Sequence, residues 1–205
     1  MFNRQPTKGA KREMDDLRLK LGSMTHDEIK AASRERELEE WRVTNRFCGR
    51  CGAPTVPHPD PAERAFVCTK CGAAAYPRIS PAVIVLVSRG DSILLQRNSH
   101  YKSANWSLVA GFVDPGEDLE EAVRREVAEE SSISVKDIRY IRSQTWPFPS
   151  NLMIGFRAEW ESGDLVPDGD EVLESAWFSR DALPEIPRPG SIARLLIDDW
   201  SAGRI

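Results

Sequence analysis

The chain has 205 residues, of which 40% are hydrophobic and 29% are charged, and its formal net charge is −4. This size and composition are typical of a globular protein with one sizeable domain and a smaller one. No apolar run reaches the ~20 residues that a membrane-spanning helix needs, and the N-terminus has no hydrophobic signal core. No basic tract indicates non-specific nucleic-acid binding, so the sequence favours a cytoplasmic protein that is neither a membrane protein nor a general nucleic-acid binder.

Residues 1–45 are predicted to be a disordered leader followed by a helical segment. Residues 1–12 are basic and lack acidic side chains, and we expect them to be unstructured. The run Thr25-His26-Asp27-Glu28 has the form of a capping box, which predicts a helix from this point to about Arg42. The apolar residues of this helix are sparse, so we expect it to support the next module or another subunit.

The four cysteines form two Cys-x-x-Cys pairs, each followed by a glycine that permits a tight turn. Cys48 and Cys51 make the first pair, and Cys68 and Cys71 make the second. Disulfides or a redox pair are alternatives, but a reducing compartment disfavours the first and a redox site needs one pair only. The spacing therefore predicts a closed, structural zinc site in a zinc ribbon over residues 46–78, with His58 as a loop residue.

Residues 79–205 alternate between β-rich runs and two helical patterns, which predicts an α/β layered domain. The helices are expected from Asp118 to about Ser131 and, after a capping Ser191, to about Trp200. The predicted strands are 82–87, 92–97, 106–109, 135–145, 151–160 and 174–178.

The first of these helices carries a row of carboxylates. Glu126, Glu129 and Glu130 stand at i, i+3 and i+4, so they share one helical face and repel one another. A cation between them reverses the sign of that interaction, and Mg²⁺ or Mn²⁺ is the natural occupant of an oxygen site. The stretch from Gly111 to Gly116 is predicted to be a loop in which phosphate meets backbone N–H groups. The alternative is a solvated acidic face without a ligand.

The spacing from Gly111 through Glu117 to Arg125-Glu126-Val127-Ala128-Glu129-Glu130 resembles the Nudix box, with Ser132 where the family has glycine. The resemblance implies a Nudix α/β/α sandwich with a mixed sheet. It also implies Mg²⁺ or Mn²⁺ bound by Glu126, Glu129 and Glu130. Arg125 would then orient or neutralise a neighbouring carboxylate, and Glu117 would be a helix-start or outer-shell acid.

A proline-rich aromatic loop, residues 143–153, indicates which subfamily of the Nudix family the chain resembles. Aromatic side chains fixed between prolines are either plugs of the core or a platform for a flat ligand. The loop resembles the Ser-Gln-Pro-Trp-Pro-Phe-Pro-x-Ser array of the NADH pyrophosphatase subfamily, which also includes hydrolases that remove NAD caps from RNA. Thr145 and Asn151 replace the first proline and the last serine of that array. The resemblance covers residues 38 to 200, and it implies a shortened N-terminal region.

The same subfamily resemblance implies further site residues. Glu171 would be a distant fourth metal ligand. Tyr76 and Phe112 would sandwich a base or nicotinamide ring, or else both are core residues. Gln144, Asn151 and the backbone at Ala193 would contact the rest of the dinucleotide. A homodimer is also a family expectation.

These expectations predict metal-dependent hydrolysis of the pyrophosphate bond of NAD(H), giving AMP and nicotinamide mononucleotide, with NAD-capped RNA as a further substrate. One alternative is a broader Nudix hydrolase for ADP-ribose or other nucleoside diphosphate derivatives. The other is a zinc-ribbon nucleic-acid-binding protein, which the net acidity and the missing basic stripe disfavour.

Overall fold

The computed structural model of the chain describes residues 17–99 and 105–205, so the predicted leader, residues 1–12, lies outside the described residues. The chain divides into two compact units. One contains residues 25–80 and 145–151, and the other contains residues 17–24 and the described parts of 81–144 and 152–205. In the described part of the chain, no helix has both the length and the apolar character needed to cross a bilayer.

The smaller unit combines a helix with a zinc-ribbon-like sheet. Helix α1 spans His26–Thr44, and strands β1 (Thr55–Pro57), β2 (Phe66–Cys68) and β3 (Ala74–Ala75) form an antiparallel sheet in that order. The predicted capping box is confirmed: Glu28 N–H donates to Thr25 Oγ1 at 3.3 Å, and Thr25 N–H donates to the Glu28 carboxylate at 2.7 Å. Trp41 of α1 is buried with its ring 4.7 Å from that of Phe66, so the helix packs on the sheet.

The larger unit is built on a six-stranded sheet. Its strands are β4 (Ser80–Arg89), β5 (Ser92–Asn98), β6 (Val109–Phe112), β7 (Ser134–Trp146), β8 (Asn151–Ser162) and β9 (Val172–Ser179). The sheet order is β7-β8-β4-β5-β9, and β6 pairs with β4. The helices are α2 (Leu119–Ser131) and α3 (Ile192–Ser201), each capped by the side chain that precedes it, Asp118 and Ser191.

Strand β4 shows why the sheet is covered on both faces. Successive side chains of a strand point to opposite faces. Val83, Val85 and Val87 pack in a core cluster with Ala122, Val123 and Val127 of α2. Ile84 and Leu86 pack in a second cluster with Ile192, Leu196 and Ile197 of α3. This alternation places one helix on each face and gives the predicted α/β/α sandwich.

One predicted strand was misplaced. The sequence indicated a strand over 106–109 followed by a loop that begins at Gly111. The structure instead pairs 109–112 with β4, with Gly111 opposite Val83, so Gly111 lies in the strand and not in a phosphate-binding loop. Ser107 is joined to Gln96 by an isolated bridge only. The pairing partner, which is distant in sequence, decides the register here.

Ser132 ends α2 in the left-handed region, at φ 59° and ψ 21°. A left-handed conformation costs an L-residue about 1–2 kcal/mol, whereas glycine adopts it freely. We therefore expect Ser132→Gly to raise the free energy of unfolding by about 0.5–1 kcal/mol, since part of the gain is offset by the greater entropy of glycine in the unfolded chain. Urea titration measures this. Ser132→Ala is the control, and a gain with alanine as well would contradict the backbone explanation.

Candidate active site and zinc cluster

The carboxylates of α2 divide into buried and exposed members. Glu126 and Glu130 are buried, at 9% and 4% exposure, whereas Glu129 is exposed. Glu126 borders β6, because its carboxylate lies against Gly111 of that strand. Two buried carboxylates on adjacent helical turns cost desolvation energy that a bound cation would offset.

Gly111 explains how Glu126 is accommodated. A Cβ atom at this position would lie 1.9–2.1 Å from the carboxylate carbon and both oxygens of Glu126. No side chain other than a hydrogen atom therefore fits beneath this carboxylate in its observed position. The glycine of the motif is required by close approach of a side chain, and its backbone has no positive φ.

Arg125 links three acidic residues and the neighbouring strand. Its guanidinium group forms a two-point contact with the Glu117 carboxylate, in which Nη2 donates at 2.8 Å. Nη1 donates to Glu126 at 2.8 Å and to Glu129 at 3.0 Å. Nη2 also donates to the carbonyl oxygen of Phe112 at 2.8 Å, which ties α2 to β6. A planar, permanently charged side chain is suited to this role in a way that lysine is not.

The contact between Arg125 and Glu117 shifts the pKa values of both side chains. The hydrogen bonds from Arg125, followed by that from the Asp114 N–H, lower the pKa of Glu117 to about 2. The hydrogen bond with Glu117 in turn raises the pKa of Arg125. Glu117 thus remains ionised and holds Arg125 in place. Its role as a helix-start or outer-shell acid stays a prediction.

Glu130 has the opposite electrostatic environment. Burial raises the pKa of its carboxyl to about 8, and the charges of Glu126, Glu171 and Asp168 add to the effect. Its Oε2 atom is buried and has no hydrogen-bond partner among the described residues. Burial also raises the pKa of Glu126, against the opposing effect of Arg125. A buried, unpartnered carboxylate oxygen surrounded by other carboxylates is the environment that a divalent cation stabilises.

These residues fit an oxygen-coordinated divalent cation. The single Nη1 atom of Arg125 lies between Glu126 and Glu129, so positive charge already bridges two of the predicted ligands. Glu130 supplies a further free oxygen, and Glu171 is near enough to raise the pKa values of both buried glutamates. Hard cations such as Mg²⁺ prefer such carboxylate sets.

Two residues near this site were missed by sequence reasoning. Gln96 is buried on β5, and its amide donates to the backbone oxygen of Glu130 at 3.3 Å. Asp168 adds negative charge near Glu130, and its carboxylate accepts hydrogen bonds from the N–H groups of Asp170 and Val172. Neither lies in the glutamate pattern, and only the folding of β5 and of the loop before β9 brings them near it.

The residues predicted to contact substrate differ in exposure. Tyr76 and Phe112 are 56% and 53% exposed, so the alternative that both are core residues is wrong. Gln144, Asn151 and Ala193 are buried. The Gln144 amide donates to Gly190 O at 2.8 Å, and its Oε1 atom has no partner among the described residues. Tyr76 and Asn151 belong to the smaller unit, and Phe112, Gln144 and Ala193 belong to the larger one.

The aromatic loop packs on itself. Strand β7 ends at Trp146, and the following residues turn before β8. The rings of Trp146 and Phe148 meet edge to face at 5.0 Å, and Phe148 is buried. Thr145, which replaces a proline of the subfamily array, donates to Glu37 of α1 at 2.9 Å. Phe148 is therefore a buried packing residue, as the core-plug alternative predicted. The hydrogen bond from Thr145 to Glu37 fixes this part of the loop within the smaller unit.

The four cysteines converge in the smaller unit. Their ligand atoms all lie within 4.8 Å of one another, and three of the Sγ–Sγ distances are 3.4–3.7 Å. A tetrahedral zinc ion with bonds of about 2.3 Å requires sulfur atoms roughly 3.8 Å apart, so the cluster fits zinc without rearrangement. No disulfide joins these cysteines. The glycines that follow each pair, Gly52 and Gly72, have φ values of 73° and 68°.

Backbone donors favour the thiolate form in this cluster. The N–H groups of Cys71 and Lys70 point at Cys68 Sγ, each at 3.4 Å, and these hydrogen bonds lower the pKa of Cys68 to about 6. The hydrogen bond from the Arg50 N–H likewise lowers the pKa of Cys48. Thiolates are the form that binds metal, so the backbone of each pair favours the metal-binding form of one cysteine. Against a backbone hydrogen bond from Ala53, the hydrogen bonds with Cys68 and Cys71 raise the pKa of Cys51 to about 12.

We expect Cys48→Ser to reduce bound zinc from about one ion per chain to near zero and to lower the thermal unfolding temperature. A structural zinc site couples metal binding to folding, and Cys48 is one of two buried ligands. Metal analysis and calorimetry test this. His58→Ala is the control, because the His58 ring bonds locally to Asp60 and stands outside the cluster. Zinc loss in the control would contradict the four-thiolate assignment.

Comparison with known proteins agrees with this geometry. The family model described as NUDIX domain matches residues 78–198, more than half of the chain. The chain belongs to the Nudix family. A second family model, described as the NADH pyrophosphatase zinc ribbon domain, matches residues 44–76. The predicted Nudix fold with a preceding zinc ribbon is therefore confirmed.

Several curated relatives of this Nudix protein are similar over most of its length. A protein from Pseudomonas syringae pv. syringae named NAD-capped RNA hydrolase NudC is 47% identical over 168 residues, which is 82% of this chain and 60% of that relative. One of the same name from Salmonella heidelberg is 48% identical over 171 residues, covering 83% of this chain and 66% of that relative. The chain thus spans about three fifths to two thirds of the length of these relatives.

Solved structures agree on the Nudix fold. A Nudix hydrolase from Nitrosomonas europaea superposes with a TM-score of 0.66 at 25% identity, covering 78% of this chain and 92% of that one. A MutT Nudix hydrolase from Burkholderia pseudomallei gives a TM-score of 0.53 at 23% identity, covering 59% of this chain and 97% of that one. At 23% identity, the match to the Burkholderia pseudomallei structure shows a shared fold and nothing about activity.

Proposed function

We propose that this Nudix protein hydrolyses the pyrophosphate bond of NAD(H), giving AMP and nicotinamide mononucleotide, and that it also removes the 5′-NAD cap from RNA. The observation that carries the proposal is the carboxylate set of α2, in which Glu130 keeps a buried free oxygen beside Glu126. The match of residues 44–76 to the NADH pyrophosphatase zinc ribbon, and relatives named NAD-capped RNA hydrolase, support this choice of substrate.

In the proposed mechanism, Glu126, Glu129 and Glu130, with Glu171, hold Mg²⁺ or Mn²⁺. When bound, the cation neutralises the negative charge that develops on the pyrophosphate oxygens. Arg125 aligns Glu126 and Glu129 and is itself held by Glu117. Glu130 is the candidate base that accepts a proton from the attacking water. The water oxygen forms a bond to one phosphorus, and the bond from that phosphorus to the bridging oxygen breaks.

The same proposal assigns substrate contacts. We propose that Tyr76 and Phe112, both exposed, each stack on a flat ring of the substrate, and such stacking contributes about 1–3 kcal/mol. Gln144, Asn151 and the backbone at Ala193 would contact the remainder of the dinucleotide. We also propose that the four cysteines bind zinc, that the protein acts in the cytoplasm, where thiols stay reduced, and that it forms a homodimer.

The experiment is a parallel assay of purified protein, with Mg²⁺ or Mn²⁺, on NADH, NAD⁺, ADP-ribose and 5′-NAD-capped RNA. Chromatography resolves the products. We expect AMP and reduced nicotinamide mononucleotide from NADH at a higher rate than ADP-ribose cleavage. Preference for ADP-ribose would instead establish the broader Nudix activity and would mean that Thr145 and Asn151 alter substrate selection. No cleavage of any substrate, with metal binding verified, would refute the proposed function.

A further inference from the structure

A pocket of about 390 Å³ lies within the smaller unit, and the carboxylate site does not include it. Three arginines from three separate segments line it: Arg34 from α1, Arg64 from the loop before β2, and Arg78 from the segment after β3. Leu38, Pro77 and Ile79 form the apolar part of its wall, and Glu37 and Ser150 complete the lining. No single stretch of the sequence contains more than one of these arginines, so no basic tract is visible in it.

The three guanidinium groups are not neutralised. Among the described residues, Arg34, Arg64 and Arg78 have no side-chain ion pair or hydrogen bond. All three are exposed at the pocket and remain permanently charged. Positive charges that gather without internal partners repel one another, and an anion in the pocket would reverse this repulsion. The paired N–H donors of an arginine guanidinium group match the geometry of phosphate oxygens.

The one acidic residue of the pocket opposes this charge only weakly. Glu37 is partly buried, and burial raises the pKa of its carboxyl, against the effect of the hydrogen bond from Thr145. That hydrogen bond, 2.9 Å long, occupies Glu37 Oε1. Three arginines therefore face one carboxyl group that is engaged by its own neighbour, and the pocket keeps a net positive charge.

The segment that carries Arg78 is held in position. Ser150 Oγ donates to the carbonyl oxygen of Arg78 at 2.6 Å, and Ser80 N–H donates to the carbonyl oxygen of Ser150 at 2.9 Å. Ile79 is 59% exposed, which leaves an apolar surface beside the guanidinium groups. Tyr76, the proposed ring-stacking residue, lies two positions before Arg78. Apolar surface next to arginines suits a nucleotide, whose base is flat and whose phosphate is anionic.

We propose that this pocket binds a nucleotide of an RNA chain, with its phosphate against Arg34, Arg64 and Arg78 and its base or ribose on the apolar wall. The inference rests on the proposed function, since RNA with a 5′-NAD cap is the proposed substrate that carries a chain of phosphates. The sequence has no basic tract that would indicate non-specific nucleic-acid binding, whereas the tertiary structure brings together arginines from three separate segments.

The test measures binding without catalysis. A fluorescent RNA of about twelve nucleotides with a 5′-hydroxyl has no pyrophosphate, so it cannot be hydrolysed at the carboxylate site. Fluorescence anisotropy over a series of salt concentrations compares the wild type, the single variant Arg64→Gln and the triple variant Arg34→Gln/Arg64→Gln/Arg78→Gln. Arg46→Gln is the control, because Arg46 is an exposed arginine of the same unit outside the pocket. Circular dichroism and zinc content verify that each variant is folded.

We expect the triple variant to bind the RNA at least about tenfold more weakly at low salt, and Arg64→Gln to show an intermediate loss. The negative slope of log affinity against log salt concentration should become shallower by about 2, since each phosphate contact to a single strand contributes roughly 0.7 to its magnitude. Arg46→Gln should stay within about twofold of the wild type. Equal losses in the control and Arg64→Gln would indicate a general charge effect and would overturn the pocket assignment.

Two further arms separate this inference from the proposed function. Titration with AMP tests whether a free nucleotide is the occupant: displacement of RNA by AMP at equal nucleotide concentration would overturn the RNA assignment. Turnover of free NADH by the triple variant should remain close to wild type, while the KM for NAD-capped RNA rises. Absence of RNA binding by a wild type that hydrolyses NADH would refute this inference and leave the proposed function intact.

Discussion

Glu126→Gln is expected to reduce NADH turnover by about 10³-fold while the protein stays folded. Glutamine preserves the volume of the buried side chain but removes a charge from the proposed cation site. Arg125 would keep its contacts with Glu117 and Phe112, so α2 should remain anchored to β6. Steady-state kinetics with saturating Mg²⁺ measure the loss. Thermal unfolding with and without Mg²⁺ should show that the stabilisation by Mg²⁺ is also lost.

The matched control is Glu120→Gln, which removes an exposed carboxylate from the first turn of the same helix. This change should leave turnover within about twofold of wild type. It should lower stability by no more than about 0.3–1 kcal/mol through the helix dipole. Near-normal turnover by Glu126→Gln would show that the metal site has been assigned to the wrong residues.

Gly111→Ala is the second change with a large expected effect, and it tests the close approach of strand and carboxylate. The added Cβ would lie 1.9–2.1 Å from the Glu126 carboxylate atoms, so that carboxylate must move by more than an ångström. A displacement of this size at a reacting centre costs about 10²-fold in rate. The stability cost should be small, within about 1 kcal/mol, because the group that must move is the end of a flexible side chain and the backbone of Gly111 suits alanine.

Kinetics and urea unfolding of Gly111→Ala separate these two effects. Gly49→Ala is the control for exchanging glycine, since nothing lies within 4 Å of a Cβ added there. It should affect neither turnover nor zinc content. A Gly111→Ala protein that turns over NADH normally would mean that the observed position of Glu126 is not the one used in catalysis. A protein that loses activity only by unfolding would mean that the glycine serves packing.

Much of the fold follows from local features of the sequence. The capping box at Thr25 defines the start of α1, and the alternation of valine with isoleucine and leucine in β4 produces a strand with two buried faces. The spacing of the cysteine pairs predicts a four-thiolate cluster because each knuckle is a short, self-contained turn. These features extend over a few residues each, so the information needed to recognise them is contiguous in the chain.

The placement of Gly111 could not be derived in the same way. The run 106–112 contains residues compatible with a strand throughout, and only pairing with β4 selects 109–112. The sequence-based prediction therefore placed a loop where the structure has a strand. The correct reason for the glycine, contact with Glu126, depends on the packing of α2 against β6.

By itself, the sequence determined most of the helices and strands, the cysteine cluster and the row of glutamates on one helical face, because each depends on spacing along the chain. Only the tertiary structure decided which glutamates are buried, how Arg125 links Glu117 to Glu126, and where three separate arginines meet. The physical reason is that burial and charge proximity depend on neighbours from distant segments, and these neighbours become adjacent only when the strands pair and the helices pack.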